Sequence, residues 1–81
     1  MSDESISLEF KTPNGTTINL KELYEEDNIE FIKQKLQDES GIPIDQMRLI
    51  WNGKKLEDHY SLSDCKLKDK SSIRLVVAAY N

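Results

Sequence analysis

Cys65, His59 and Asp64 are the residues most able to do chemistry in this sequence. A thiol nucleophile needs a base within hydrogen-bond reach and a third group that orients the base. His59 and Cys65 stand six positions apart in a segment that reads as loop, with no pocket indicated around them. Cys65 is therefore read as a small packing residue and no catalytic residue is assigned. Glu25, Glu26 and Asp27 form an acidic run that could hold a cation loosely; it reads first as the solvated start of a helix. One Cys and one His cannot supply an ordinary structural zinc site, so no metal is expected. No glycine-rich phosphate loop occurs, and no cofactor is expected.

The framework that must position these groups is small. With 81 residues the chain makes one domain, whose core leaves little room for a deep enclosed active site. A single Cys excludes an internal disulfide. No segment approaches the roughly 18 consecutive apolar residues of a membrane span, and Met1–Ser5 lacks the basic start and apolar centre of a signal peptide. A cytoplasmic or nuclear protein is expected, with no membrane role. The 15 acids outnumber the 11 bases, for a net charge of -4, which argues against nucleic acid as a partner.

The first five residues are polar and are expected to fray. Ile6, Leu8 and Phe10 then alternate with Ser7, Glu9 and Lys11, the period of a strand with one buried face. Asn14-Gly15 suits a tight reversal, and Ile18 and Leu20 complete a hairpin. Asp27 or Asn28 can cap a helix whose apolar face is Ile29, Ile32 and Leu36, with Lys33, Lys35 and Asp38 on the remainder. Gly41 and Pro43 end it. Met47–Trp51 is a third strand, Asn52-Gly53 a turn and Lys54–Leu56 a short fourth strand. Glu57–Lys70 reads as loops around Leu62 and Leu67, with one short helical turn starting near Ser61 or Ser63. Ile73–Val77 is the last strand. The class is α+β. A lone helix must cover one face of a mixed sheet of about five strands, and the last strand can lie parallel to the first, which is the β-grasp arrangement. The units read as a flexible N-terminus over 1–5, a domain over 6–77 and a short tail over 78–81.

Lys33-x-Lys35, Gln37-Asp38-x-x-Gly41-Ile42-Pro43, Asp45-Gln46-x-Arg48-Leu49-Ile50, Gly53-Lys54-x-Leu56-Glu57-Asp58 and Leu62-Ser63-Asp64 run collinearly through the chain. Lys11-Thr12 and Thr16-x-Ile18-x-Leu20 extend the series into the hairpin. Over Ile6 to about Val77 this sequence resembles ubiquitin and its relatives, with one residue inserted between Leu20 and Leu23. The resemblance implies the ubiquitin-like β-grasp fold. It also implies one of two trades: covalent attachment through a C-terminal Gly-Gly carboxylate, or binding alone. The tail Ala78-Ala79-Tyr80-Asn81 holds no glycine, and side chains at Tyr80 and Asn81 would crowd the channel through which such a tail must thread for activation. A non-covalent binding module is therefore expected; a covalent modifier whose native Gly-Gly tail is absent from this chain is the alternative.

Strand alternation turns Met47, Leu49, Trp51, Ile73, Leu75 and Val77 toward the helix and leaves Arg48, Ile50, Arg74 and Val76 facing out. The resemblance puts Ile50 and Val76 on adjacent strands and implies that they form a docking patch. The expected protein-binding set is Ile50, Val76, Arg74, Arg48, Pro13, Gly53 and Lys54, and the expected partners are ubiquitin-receptor domains or proteasome subunits. Arg74 replaces a His of ubiquitin, which favours receptors with acidic groups around an apolar anchor. Pro13 replaces a mobile Leu at the hairpin tip, which disfavours receptors that use it. So small a patch suits a transient interface of about 1,200 Å2 or less and about micromolar affinity, made by a monomer. Lys11, Lys33, Lys35 and Lys54 match positions that accept chains in ubiquitin. They read first as solvated surface charge.

Overall fold

The β-branched and aromatic residues of the first hairpin form two antiparallel strands in the computed structural model, which describes residues 5–78. These are β1 (Ile6–Lys11) and β2 (Thr17–Leu23). At the tip Gly15 takes φ +91°, and the Asn14 carboxamide oxygen accepts hydrogen bonds from the Thr12 and Thr16 hydroxyls. The extra residue between Leu20 and Leu23 is absorbed as a bulge. Leu8 pairs with Leu20 but Ile6 pairs with Leu23, and Glu22 takes φ 60° to make the step. Both leucines of β2 thereby stay in the core.

Helix α1 spans Ile29–Ser40. Asn28 is its cap, accepting the Phe31 N–H at 2.9 Å, while the Asp27 carboxylate accepts the Tyr24 N–H and closes the preceding turn. Gly41 ends the helix at φ 78°, its N–H donating to the Gln37 carbonyl at 2.8 Å. Ile29, Ile32 and Leu36 are buried, as their spacing predicts. Lys33 is buried with them, a correction to its placement on the wet face. It occupies the i+4 position of the same stripe, and its ammonium reaches Asp58 at 2.7 Å.

A 3-10 turn at Ile44–Gln46, not foreseen from the sequence, leads into β3 (Met47–Trp51), β4 (Lys54–Lys55) and, after the loop, β5 (Ser71–Val77). The sheet order is β2-β1-β5-β3-β4, with β1 and β5 parallel and the other neighbours antiparallel. This is the expected β-grasp: a mixed five-stranded sheet on one helix. Between Glu57 and Lys70 no helix forms. Ser61 and Asp64 exchange bonds (Ser61 N–H to the Asp64 carboxylate, Asp64 N–H to the Ser61 hydroxyl), and one helical turn closes before Lys66 turns left-handed at φ 60°. The expected turn and its Ser61 cap are present, but they do not extend.

The core lies between the sheet and α1, where Phe10, Leu23, Ile32, Leu36, Leu49, Leu62 and Ile73 are fully enclosed. Each such aliphatic side chain contributes about 1.5–3 kcal/mol by leaving water. The opposite face of the sheet carries no element among the described residues. Residues 1–4 and 79–81 lie outside the described residues, and with them most of the N-terminal segment and tail distinguished in the sequence.

Candidate functional site

Cross-strand pairing fixes what the open face presents. Leu49 pairs with Leu75 on the buried side, so their neighbours alternate outward: Arg48 opposite Val76, and Ile50 opposite Arg74. Ile50 and Val76 are half-buried and belong to no part of the core, while Arg48 and Arg74 are exposed. The aliphatic and basic groups therefore form a two-by-two checkerboard. The row through Ile50 continues in both directions, because Lys11 of β1 lies beside Arg74 and Lys55 of β4 lies opposite Ile50. A shallow depression of about 320 Å3 opens beside Ile50, lined by Lys11, Gly53, Ser72 and Arg74 among others. Glu9 is the one acid on this face of β1, β3 and β5. The single ion pair among the described residues is Lys33–Asp58, away from this face, so its cations are unneutralised.

Two members of the expected set lie elsewhere. Lys54 pairs with Trp51, so it projects on the other side of the hairpin from Ile50. It lines a separate cleft with Tyr60 and Cys65. Pro13 sits at the β1–β2 tip and lines a groove of about 530 Å3 with Ile18, Ile42 and Val77. The expected set lacks Lys55 and gives Lys11 only as a chain acceptor, whereas both lie on this face. The signal for Lys55 was present: a two-residue Asn52-Gly53 turn pairs 51 with 54 and therefore 50 with 55. Lys11 and Lys54 are exposed and Lys35 is half-buried, whereas Lys33 is enclosed and ion-paired, which removes it from the lysines solvent can reach.

The groups weighed for nucleophilic chemistry are not assembled as a set. Among the described residues neither His59 nor the Cys65 thiol makes a side-chain hydrogen bond; the His59 ring stands edge-on to Tyr60 at 4.9 Å. Burial, and secondarily the Asp64 carboxylate, push the Cys65 thiol above its ordinary pKa, the direction that disfavours a thiolate. Among the described residues no three His, Cys, Asp or Glu side chains gather as a metal site, and no helix is long and apolar enough to cross a membrane.

A β-grasp domain with an open, basic-rimmed aliphatic sheet face defines a ubiquitin-like module. A model described as "Ubiquitin family" matches residues 8–80, and the chain belongs to that family. It is 37% identical over 75 residues to AN1-type zinc finger protein 4 of Mus musculus, covering 93% of this chain and 10% of that protein. It is 36% identical over 70 residues to NEDD8-like protein RUB1 of Saccharomyces cerevisiae, covering 86% of this chain and 90% of that protein. It is 32% identical over 71 residues to ubiquitin-like protein NEDD8 of Dictyostelium discoideum, covering 88% and 91%. The chain is thus similar both to a small fraction of a long protein and to nearly all of two short ones.

Proposed function

We propose that this chain is a non-covalent protein-binding module that docks ubiquitin-receptor domains or proteasome-associated proteins through Ile50 and Val76, in the cytoplasm or nucleus. The observation that carries it is the register of β3 on β5, which sets two half-buried aliphatic groups alternately with two exposed arginines on an uncovered face. Clustered apolar exposure within a charged rim is the usual mark of an interaction surface. The partner's anchor is an aliphatic side chain seated between Ile50 and Val76, with carboxylates reaching Arg48 and Arg74. Titration of labelled protein with ubiquitin-receptor domains tests this. Ile50→Ala weakens binding about tenfold or more while the unfolding midpoint stays close to the parent's, as expected for a central anchor outside the core. Unchanged affinity would remove the face from the proposal.

A second reading, a covalent ubiquitin-like modifier, is supported by the near full-length match to RUB1 and NEDD8. It requires a tail whose carboxylate can be activated. Incubation of the 81-residue chain with activating enzymes and ATP tests the binding-module reading, which expects no thioester; a thioester band establishes the modifier.

A further inference from the structure

The cleft on the far side of the β3–β4 hairpin is distinct from the sheet face. It opens between that hairpin and the Tyr60–Lys66 loop, with a volume of about 440 Å3. That is within the range of small-ligand and side-chain pockets, about 300–1,000 Å3. Trp51, Tyr60 and Cys65 line it, and Lys54 and Lys66 stand around them, with Lys55, whose strand position faces the Ile50 side, only at the rim. None of these lysines takes part in an ion pair among the described residues. The one acid in the lining, Asp64, has a carboxylate oxygen occupied by the Ser61 N–H at 3.0 Å. In a chain of net charge -4 this is a local excess of positive charge around an aromatic and sulfur-lined hollow.

Two features make the hollow a lasting one. Cys65 puts a small side chain in the wall of the hollow. The loop that bears it is tied down, with Cys65 N–H donating to the Ser61 carbonyl, Lys66 N–H to Ser63 and Leu67 N–H to Leu62, whose side chain is fully enclosed. A pre-formed wall spares a ligand the cost of ordering it. Burial favours the neutral thiol, so among the lining residues Asp64 is the one group that opposes an incoming anion.

We propose that this cleft is a second binding site, which takes an acidic peptide segment bearing one bulky apolar side chain: the apolar group enters against Trp51, Tyr60 and Cys65, and the flanking carboxylates meet Lys54 and Lys66. Charge complementarity selects such a peptide over a basic or neutral one. The site stands independently of the role proposed for Ile50 and Val76, since it lies on the other side of the hairpin.

Trp51 is the single tryptophan and a wall of the cleft, so its emission reports occupancy. The probe is an end-blocked peptide with one phenylalanine flanked on each side by three glutamates, titrated into the full chain. A saturable emission change is expected, absent when glycine replaces the phenylalanine or lysines replace the glutamates. Cys65→Tyr fills the hollow with an aromatic ring and weakens binding about tenfold; Lys66→Ala, which leaves the hollow open, weakens it about threefold by removing one flanking charge. Ile50→Ala leaves it within about twofold. Three results would each overturn the site: no saturable signal into the millimolar range, full affinity in Cys65→Tyr, or loss of binding in Ile50→Ala. The last would place the peptide on the sheet face instead.

Discussion

At the scale of single residues, the Lys33–Asp58 pair is unequal, and its two halves are expected to fail unequally. The Lys33 side chain is 9% exposed and that of Asp58 54% exposed. Removing the carboxylate leaves an enclosed ammonium with no partner, whereas removing the ammonium leaves a carboxylate that water can reach. Asp58→Ala is therefore expected to cost about 1–3 kcal/mol, between the values for exposed and buried pairs, and Lys33→Met less than half of that. Urea unfolding of both variants at pH 7 measures the order, and a costlier Lys33→Met would mean that the stem's packing, not the charge, matters at this position. Cys65 gives a second test. Its thiol pKa is raised in the folded chain, by burial first and Asp64 second. The folded state thus holds the thiol proton more tightly, so the associated stability is present below the thiol's ordinary, unfolded pKa and is lost as pH rises through the higher folded value. Alkylation of the native chain should show its pH midpoint above that of the chain in urea. Coincident midpoints would contradict the burial.

At the scale of elements, much of the fold was legible because each signal was local. Period-two alternation marks β1, β3 and β5, and Gly41 with Pro43 stops α1 where the structure stops it. Where two residues offered the same chemistry, as Asp27 and Asn28 did, the choice rested on which backbone N–H each could reach, and that depends on the fold. Asn28→Ala is accordingly expected to destabilise by about 0.5–2 kcal/mol through loss of the bond to Phe31 N–H. Asn28→Asp should retain most of the stability, and thermal unfolding of the two compares them. Lys33 was misplaced because residue type outweighed spacing: the i, i+3, i+4, i+7 stripe includes it, and its partner lies 25 residues away. The 3-10 turn at Ile44–Gln46 carries no periodic signal at that length. Lys54 and Lys55 exchanged places relative to expectation because the open face depends on hairpin register, which the turn length sets.

At the scale of the whole molecule, charge is sorted rather than spread. The chain is acidic overall, yet Lys11, Arg48, Lys55 and Arg74 share the open face of β1, β3, β4 and β5 with only Glu9, while Glu25, Glu26, Asp27 and Glu30 gather at the amino end of α1. A receptor with an acidic rim thus meets a field set by the face, not by the net charge, and that field acts chiefly on encounter. The aliphatic pair acts after contact, through exclusion of water, and its share carries little salt dependence. The two contributions should therefore separate in kinetics. Arg48→Gln with Arg74→Gln should slow association and flatten its dependence on ionic strength, since screening shortens from about 10 Å at 0.1 M to about 3 Å at 1 M salt. Ile50→Ala should speed dissociation and leave the salt slope of association as in the parent. Stopped-flow measurements against one receptor domain at a series of salt concentrations give both rates. If the arginine variant keeps the parent's slope, the basic rim does not steer the encounter, and selection among receptors must then come from the shape of the Ile50 and Val76 face.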